Sequence, residues 1–152
     1  MAYKAGLGYQ INRGAEVIAI TATPGDPFFT VAGGLCLITG LLGVCAIAAG
    51  GANTLSFELN PDDATGANSP LTLAADLGTL MTAGDVTCLV GAPGTALIAG
   101  HVPLNVMGST LGKGLVVNSG VIGLVATAAV MSMRWILWWI PIDDGATIVN
   151  IP

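Results

Sequence analysis

The apolar positions of the chain fall into short runs separated by glycine, proline and small polar residues. The clearest run is 53–60, in which every second residue is apolar, and Leu55, Phe57 and Leu59 are expected to point inward. A period of two is typical of a strand with one buried face. Many short runs with turn residues between them favour an all-β domain, which we expect to be a single antiparallel β-sandwich or barrel.

Other runs predict further strands. Residues 28–33 follow a turn signal at 24–27 and predict a strand. Residues 35–48 are almost wholly apolar, which indicates one or two strands buried on both faces, with Gly40 and Gly43 marking a bulge or hairpin. Strands are also predicted at 16–23, 85–91, 115–118, 121–128 and 146–151, and a strand or short helix at 71–80.

The most distinctive run is 131–142, which contains all three tryptophans of the chain. In an extended strand, Trp135 and Trp139 point to one face and Trp138 to the other. We expect one face to fill the core and the other to meet a partner. Pro141 lacks a backbone donor, so this strand is predicted to end at a sheet edge or a bulge.

Composition raises the question of what covers the surface. Hydrophobic residues make up 53% of the chain and charged residues 9%, whereas soluble domains carry about 25% charged residues. Because so few charges are available to face water, much of the surface is expected to meet either lipid or protein.

The few charges also limit the possible partners. The net charge is −5, and four scattered basic residues form no patch that could bind nucleic acid. Residues 1–13 carry Lys4 and Arg13 and no acid, so we predict an extended N-terminal arm that contacts an acidic neighbour. We assign 1–25 to this arm and a first strand, and 26–152 to the sandwich or barrel.

The sequence contains no pattern that indicates catalysis, a metal or a cofactor. Cys36, Cys45 and Cys88 lack metal-type spacing and are predicted to be buried thiols in a reducing cytoplasm. His101 is the only histidine, so a triad or a multi-histidine metal site would depend on it alone. The segments 62–63, 91–95, 108–114 and 143–144 are interpreted as solvated turns.

A membrane protein is the alternative interpretation. The stretches 28–52 and 121–142 are long enough to span a bilayer. Glycines interrupt the first, Arg134 lies within the second, and acids flank both without an orienting Lys/Arg bias. No signal peptide is visible at the N-terminus. A small holin-like or channel component therefore remains the second hypothesis.

Four segments resemble one known class of protein. The segment 133–146 is the most telling, because it has a basic residue, tryptophan, apolar alternation, proline and an acidic-glycine turn. In these segments the chain resembles the small head decoration or cement proteins that are encoded beside the major capsid protein in many tailed-phage genomes. The segments are 26–33, 52–61, the strand that starts at Gly120, and 133–146.

The resemblance implies a structural virion protein on the outer capsid surface, commonly trimeric, that stabilises contacts between capsomers. Its partners would be itself and the major capsid protein, with no nucleic acid, membrane, small-molecule substrate or cofactor. A tail or neck protein is a further alternative. The chain departs from the family at Trp138 and Trp139, where polar or aliphatic residues are expected. The interface candidates are Tyr3, Lys4, Tyr9, Arg13, Phe28, Phe29, Arg134, Trp135, Trp138 and Trp139.

Overall fold

The described residues of the chain form thirteen antiparallel strands and contain no helix. In the computed structural model these residues are 2–4, 8–19, 26–62, 68–88, 98–100, 114–127 and 130–151, with the backbone alone described at 2–4, 10–19, 26, 98–100 and 130. The strands are β1 (Ala2–Lys4), β2 (Gly8–Ala19), β3 (Asp26–Ala32), β4 (Cys36–Ile47), β5 (Thr54–Pro61), β6 (Ser69–Pro70), β7 (Ala75–Asp76), β8 (Val86–Cys88), β9 (Ile98–Gly100), β10 (Leu115–Val117), β11 (Gly120–Ala126), β12 (Val130–Pro141) and β13 (Thr147–Asn150).

The strands form two sheets that pack face to face, so the predicted all-β antiparallel sandwich is confirmed. Sheet A has the order β1-β2-β12-β4-β8-β9, and β10 also pairs with β4. Sheet B has the order β13-β3-β11-β5-β6, and β7 also pairs with β5. Side chains from both sheets form one hydrophobic core. The inward residues of β5 are Leu55, Phe57 and Leu59, as the alternation predicts.

Aromatic contacts at the centre of the core join the two sheets. Trp135 of sheet A is fully buried and meets Phe57 of sheet B edge to face, with ring centroids 4.8 Å apart at 86°. Phe57 also meets Phe28 edge to face at 6.0 Å. On its own sheet, Trp135 lies against Gly43, where a Cβ atom would be 2.5 Å from Trp135 Cζ3. The indole therefore fills space that a side chain on β4 would otherwise occupy.

Bulges adjust which side chains reach the core. The register between β11 and β3 shifts at Phe28, which is the extra residue, and both Phe28 and Phe29 are buried as a result. Between β12 and β4, Trp138 pairs with Gly40 and Trp139 with Ile38. The sequence predicts a bulge or hairpin near Gly40, and the structure has a bulge within one continuous strand.

The N-terminal residues are extended, as predicted, and they are also hydrogen-bonded into sheet A. Strand β2 pairs with β12 from Ala19–Val130 to Tyr9–Trp139, and β1 pairs with β2. The segment predicted as an arm thus contributes two strands to the sheet. Within the described residues, the pairing of β2 with β12 ends at Trp139, and Pro141 pairs with Cys36 of β4, so an edge or bulge at the end of this strand stays a prediction.

Asp76 closes the turn that follows β7. Its Oδ1 accepts hydrogen bonds from the backbone N–H of Asn53 at 3.0 Å and of Thr79 at 3.3 Å, and its Oδ2 accepts one from the Thr79 hydroxyl at 2.8 Å. These bonds, with that of the Thr79 hydroxyl first among them, lower the pKa of Asp76 below its ordinary value of 3.8. The ionised carboxylate therefore holds this turn against the start of β5.

We expect Gly43→Ala to destabilise the fold by about 1–3 kcal/mol, because the new methyl group would displace the Trp135 indole and the Thr87 methyl group from their packed positions. The matched control is Gly51→Ala, since a Cβ there meets nothing within 4 Å, and it should change the free energy of unfolding by less than about 0.5 kcal/mol. Urea denaturation measures both. Equal stability of the two variants would show that the indole does not depend on Gly43.

The lowered pKa of Asp76 predicts a pH-dependent contribution to stability. A carboxyl group with a lower pKa in the folded state stabilises that state above its unfolded pKa, and the contribution is lost as pH falls through the folded pKa. We expect Asp76→Asn to be less stable than wild type at pH 6, with the difference shrinking below about pH 3.8. Urea midpoints measured between pH 6 and pH 2.5 test this, with Asp62→Asn at an exposed position as the control. A difference that does not change with pH would contradict the assignment.

Candidate functional site

The buried interface candidates belong to the core of the subunit. Trp135 and Phe29 are fully buried, and Phe28 and Trp139 are 2% exposed. These four side chains are not available to a partner, so the structure corrects their assignment as interface residues. The predicted division of the tryptophans is confirmed, because Trp135 and Trp139 point inward and Trp138 points outward.

The outward side chains of sheet A form an apolar surface centred on Trp138. On β12 the outward row runs from exposed Arg134 through Ile136 and Trp138 to Ile140, the last three being partly buried. Neighbouring strands continue this surface on the same side of the sheet. We call it the Trp138 face, and its members are Arg134, Ile136, Trp138 and Ile140 of β12, Leu37, Leu42 and Val44 of β4, Val86 of β8, and Val116 of β10.

Strand register brings these residues together. Ile136 lies opposite Leu42, Ile140 opposite Leu37, and Leu37 opposite Val116 on its other side. Directly opposed residues of antiparallel strands are about 4.5–5.5 Å apart at Cβ, so these rows are in contact across three strands. Val116 is the most open member, with 60% of its surface exposed.

The Trp138 indole packs against Gly40 on the outward side of sheet A. A Cβ atom on Gly40, its partner on β4, would be 3.0 Å from Trp138 Cε3, so the absence of a side chain there lets the indole approach the backbone. The indole Nε1 atoms of all three tryptophans are buried and have no hydrogen-bond acceptor. A buried N–H without an acceptor costs about 1–3 kcal/mol.

The outer face of sheet B has a different chemical character. The outward residues of β5 are Thr54, Ser56, Glu58 and Asn60, and Thr30 lies outward on β3. Valines at 121, 125 and 149 are interspersed among them. In contrast, Arg134 is the only charged residue in β4, β8, β10 and β12. The outer surface of these four strands of sheet A is therefore more apolar than the described outer surface of sheet B.

Strand β4 differs in part from its prediction. The sequence predicts burial on both of its faces, but only the inward residues are fully buried, while Leu37, Leu42 and Val44 on the outward side are partly exposed within this chain. The sequence of β4 is almost wholly apolar, which indicates apolar side chains on its outward face as well. The sequence does not show whether that face is covered by the same chain or by another one.

The remaining interface candidates lie near the opposite edge of β12. Tyr3 pairs with Tyr9, Lys4 with Gly8, and Arg13 with Trp135, and only the backbone of Tyr3, Lys4 and Arg13 is described. The Tyr9 ring packs on Trp139 with centroids 5.1 Å apart. Tyr9 thus belongs to the inner side of sheet A, together with Trp139, and not to the Trp138 face.

An open cleft of about 610 Å³ lies beside this aromatic pair. Tyr9 and Trp139 form one side, and the residues from Pro141 to Thr147 form the other, including the carboxylates of Asp143 and Asp144. Asp143 Oδ2 accepts a hydrogen bond from Leu35 N–H at 2.7 Å, which fixes the turn between β12 and β13. Sequence reasoning interpreted 143–144 as a turn, which is correct, but it missed the cleft because Tyr9 is far away along the chain.

The three cysteines are buried, which affects their ionisation. Cys36, Cys45 and Cys88 are buried free thiols, as predicted, and burial raises the pKa of each, which favours the unreactive protonated form. Groups of three potential metal ligands do not occur in the part of the chain that is described. His101 and the segment 91–95 lie outside the described residues, as does 108–114 apart from Gly114.

Two further observations concern the class of protein. Within the described ranges, no helix is long and apolar enough to cross a bilayer. Comparison with protein-family models, with curated proteins and with solved structures gives no match.

Proposed function

We propose that this chain is a structural protein that associates with copies of itself through the Trp138 face, and that the resulting oligomer binds to a tailed-phage head as a cement protein. The observation that carries the proposal is the apolar outer surface of β4, β8, β10 and β12, on which Arg134 is the one charged residue. The resemblance of segments such as 133–146 to head decoration proteins supports the second step.

A second copy is the occupant that best fits the chemistry of this face. Apolar side chains gain about 25 cal/mol for each Å² removed from water, and large contiguous apolar patches are rare on soluble monomers. Ile136, Trp138 and Ile140 form a continuous apolar row, and Arg134 lies at its end, where it remains in water at the rim. Packing this face against itself or around a threefold axis therefore buries no unpaired charge near the centre.

Packing of a second copy would repeat the interaction that forms the sandwich. Two sheets pack about 10 Å apart when their facing side chains interdigitate. The more polar outer face of sheet B, with Ser56 and Glu58, would remain exposed to water or to the viral shell. A trimer is the oligomer that we propose, and many such units on one head would stabilise it through repeated weak contacts.

We expect Ile136→Lys to dissociate the oligomer, because it places a charge at the centre of the Trp138 face. The matched control is Val121→Lys. Val121 is a partly buried aliphatic residue on the central strand of sheet B, and its side chain points away from the proposed interface. Light scattering coupled to gel filtration should give wild type and the control at three times the 15.1 kDa chain mass, and Ile136→Lys at the monomer mass.

The mass measurement can contradict the proposal in two ways. A monomeric wild type would show that the face needs no second copy. Dissociation by Val121→Lys with no effect of Ile136→Lys would assign the contact to sheet B. Circular dichroism of both variants separates loss of assembly from loss of folding, because a folded monomer keeps the β-sheet spectrum.

Head binding tests the second step. We expect the purified chain to cosediment saturably with heads assembled from the major capsid protein encoded beside it, and Ile136→Lys to bind at least about tenfold more weakly because a monomer loses multivalency. Gly51→Ala, at an open surface position, should bind like wild type. A chain that stays in the supernatant would contradict the cement role, and recovery only from detergent-solubilised membranes would favour the membrane alternative.

A further inference from the structure

The most exposed apolar side chains next to β12 lie at one end of the Trp138 face. Val116 is 60% exposed, Ile142 is 50% exposed and Leu35 is 37% exposed. The backbone N–H of Ile142 donates a hydrogen bond to the carbonyl of Leu35 at 2.9 Å, and Val116 lies opposite Leu37, so all three residues lie at the start of β4. We call Leu35, Val116 and Ile142 the apolar corner, and it extends the Trp138 face past the end of β12.

The opposite end of the face carries its one charged residue. Arg134 is exposed and precedes Ile142 by eight positions, which corresponds to roughly 26 Å along a strand. The only charged residues after Arg134 in the sequence are Asp143 and Asp144, which follow Ile142 directly. The face is therefore basic at one end and apolar at the other, where the next charges along the chain are negative.

Two arrangements of three copies differ in which ends of the face meet. If β12 runs parallel to the threefold axis, the three Arg134 side chains lie together at one end and the three apolar corners at the other. If β12 is inclined to the axis, the Arg134 end of one copy meets the apolar corner of the next. The first arrangement brings like charges together at each end, whereas the second places opposite charges near one another, so the charges favour the second.

We propose that the copies associate head to tail, so that the Arg134 end of one copy covers the apolar corner of the next. The head-to-tail contact depends on the self-association proposed above and gives it a direction. The aliphatic stem of Arg134 packs on Ile142 and Leu35 of the neighbouring copy, while its guanidinium group stays in water at the rim. Contacts between two different patches close into a ring when the rotation from copy to copy is a third of a circle.

Cross-linking of the full-length protein with a short bismaleimide reagent tests the direction of the contact. The native cysteines are buried, so wild type should give no cross-linked product. Ala46→Cys adds a thiol at an exposed position two residues beyond Val44, the partner of Arg134, and Val116→Cys adds one at the apolar corner. Within one chain these thiols are out of reach of the reagent, because Val116 lies opposite Leu37, nine positions or roughly 30 Å from Ala46 along β4.

We expect the double variant Ala46→Cys/Val116→Cys to give covalent dimers and trimers on a denaturing gel, and each single variant to remain at the chain mass of 15.1 kDa. The single variants are matched controls, because each carries one of the two thiols at the same position. Light scattering before the reaction should give three times the chain mass for all of them, and circular dichroism shows that each is folded.

Reversal of the charge at one end tests the role of Arg134. In the double-cysteine background, Arg134→Glu should lower the yield of covalent trimer at least about fivefold, because it places a negative charge near the acidic turn of the next copy. Arg134→Lys keeps the charge and should lower the yield less. Equal yields from the two variants would show that Arg134 does not lie at the contact.

Two further results would overturn the head-to-tail contact and leave self-association intact. One is cross-linking within either single variant, which would show that like ends lie together. The other is a double variant that has the trimer mass in solution but gives no cross-linked product. A wild type that is monomeric in light scattering would instead remove self-association, and the head-to-tail contact with it, so the two failures are distinguishable.

Discussion

The packing of Trp135 between Gly43 and Phe57 determines how the two sheets meet. The indole lies against β4 at a position without a side chain, and its edge-to-face contact with Phe57 crosses the core. Aromatic pairs of this geometry contribute about 0.5–1.5 kcal/mol beyond the area that they bury. Phe28 and Phe29 are added to the same cluster through the bulge in β3, so one large side chain on sheet A organises the aromatic residues of sheet B.

Local alternation was sufficient to predict several strands and the direction of their side chains. The inward positions of β5 and the opposite directions of Trp135 and Trp138 follow from a period of two, which any extended strand must have. The pairing of β2 with β12 was not predictable in this way, because register depends on contacts between residues more than a hundred positions apart. Alternation alone predicts an arm and a first strand in residues 1–25, whereas β1 and β2 both pair within sheet A.

The candidate site was predictable only in part, for a physical reason. Trp138 was expected to face a partner, but Leu37, Leu42 and Val44 were expected to be buried within the chain. An apolar residue covered by its own chain and one left for a partner have the same sequence signature, and only the arrangement of the sheets separates them. The cleft beside Tyr9 required the tertiary structure as well, since Tyr9 lies near the start of the chain and the other lining residues lie near its end.

The strand order of sheet A has a consequence for how this protein folds. Strands β2 and β4 arise from the first third of the sequence, yet they do not form a ladder with each other, because β12 from the last quarter lies between them. During synthesis, one long edge of β4 stays unpaired until β12 has left the ribosome. Such late closure is slow and exposes unpaired edges, which makes the nascent chain dependent on rapid completion or on chaperones to avoid aggregation.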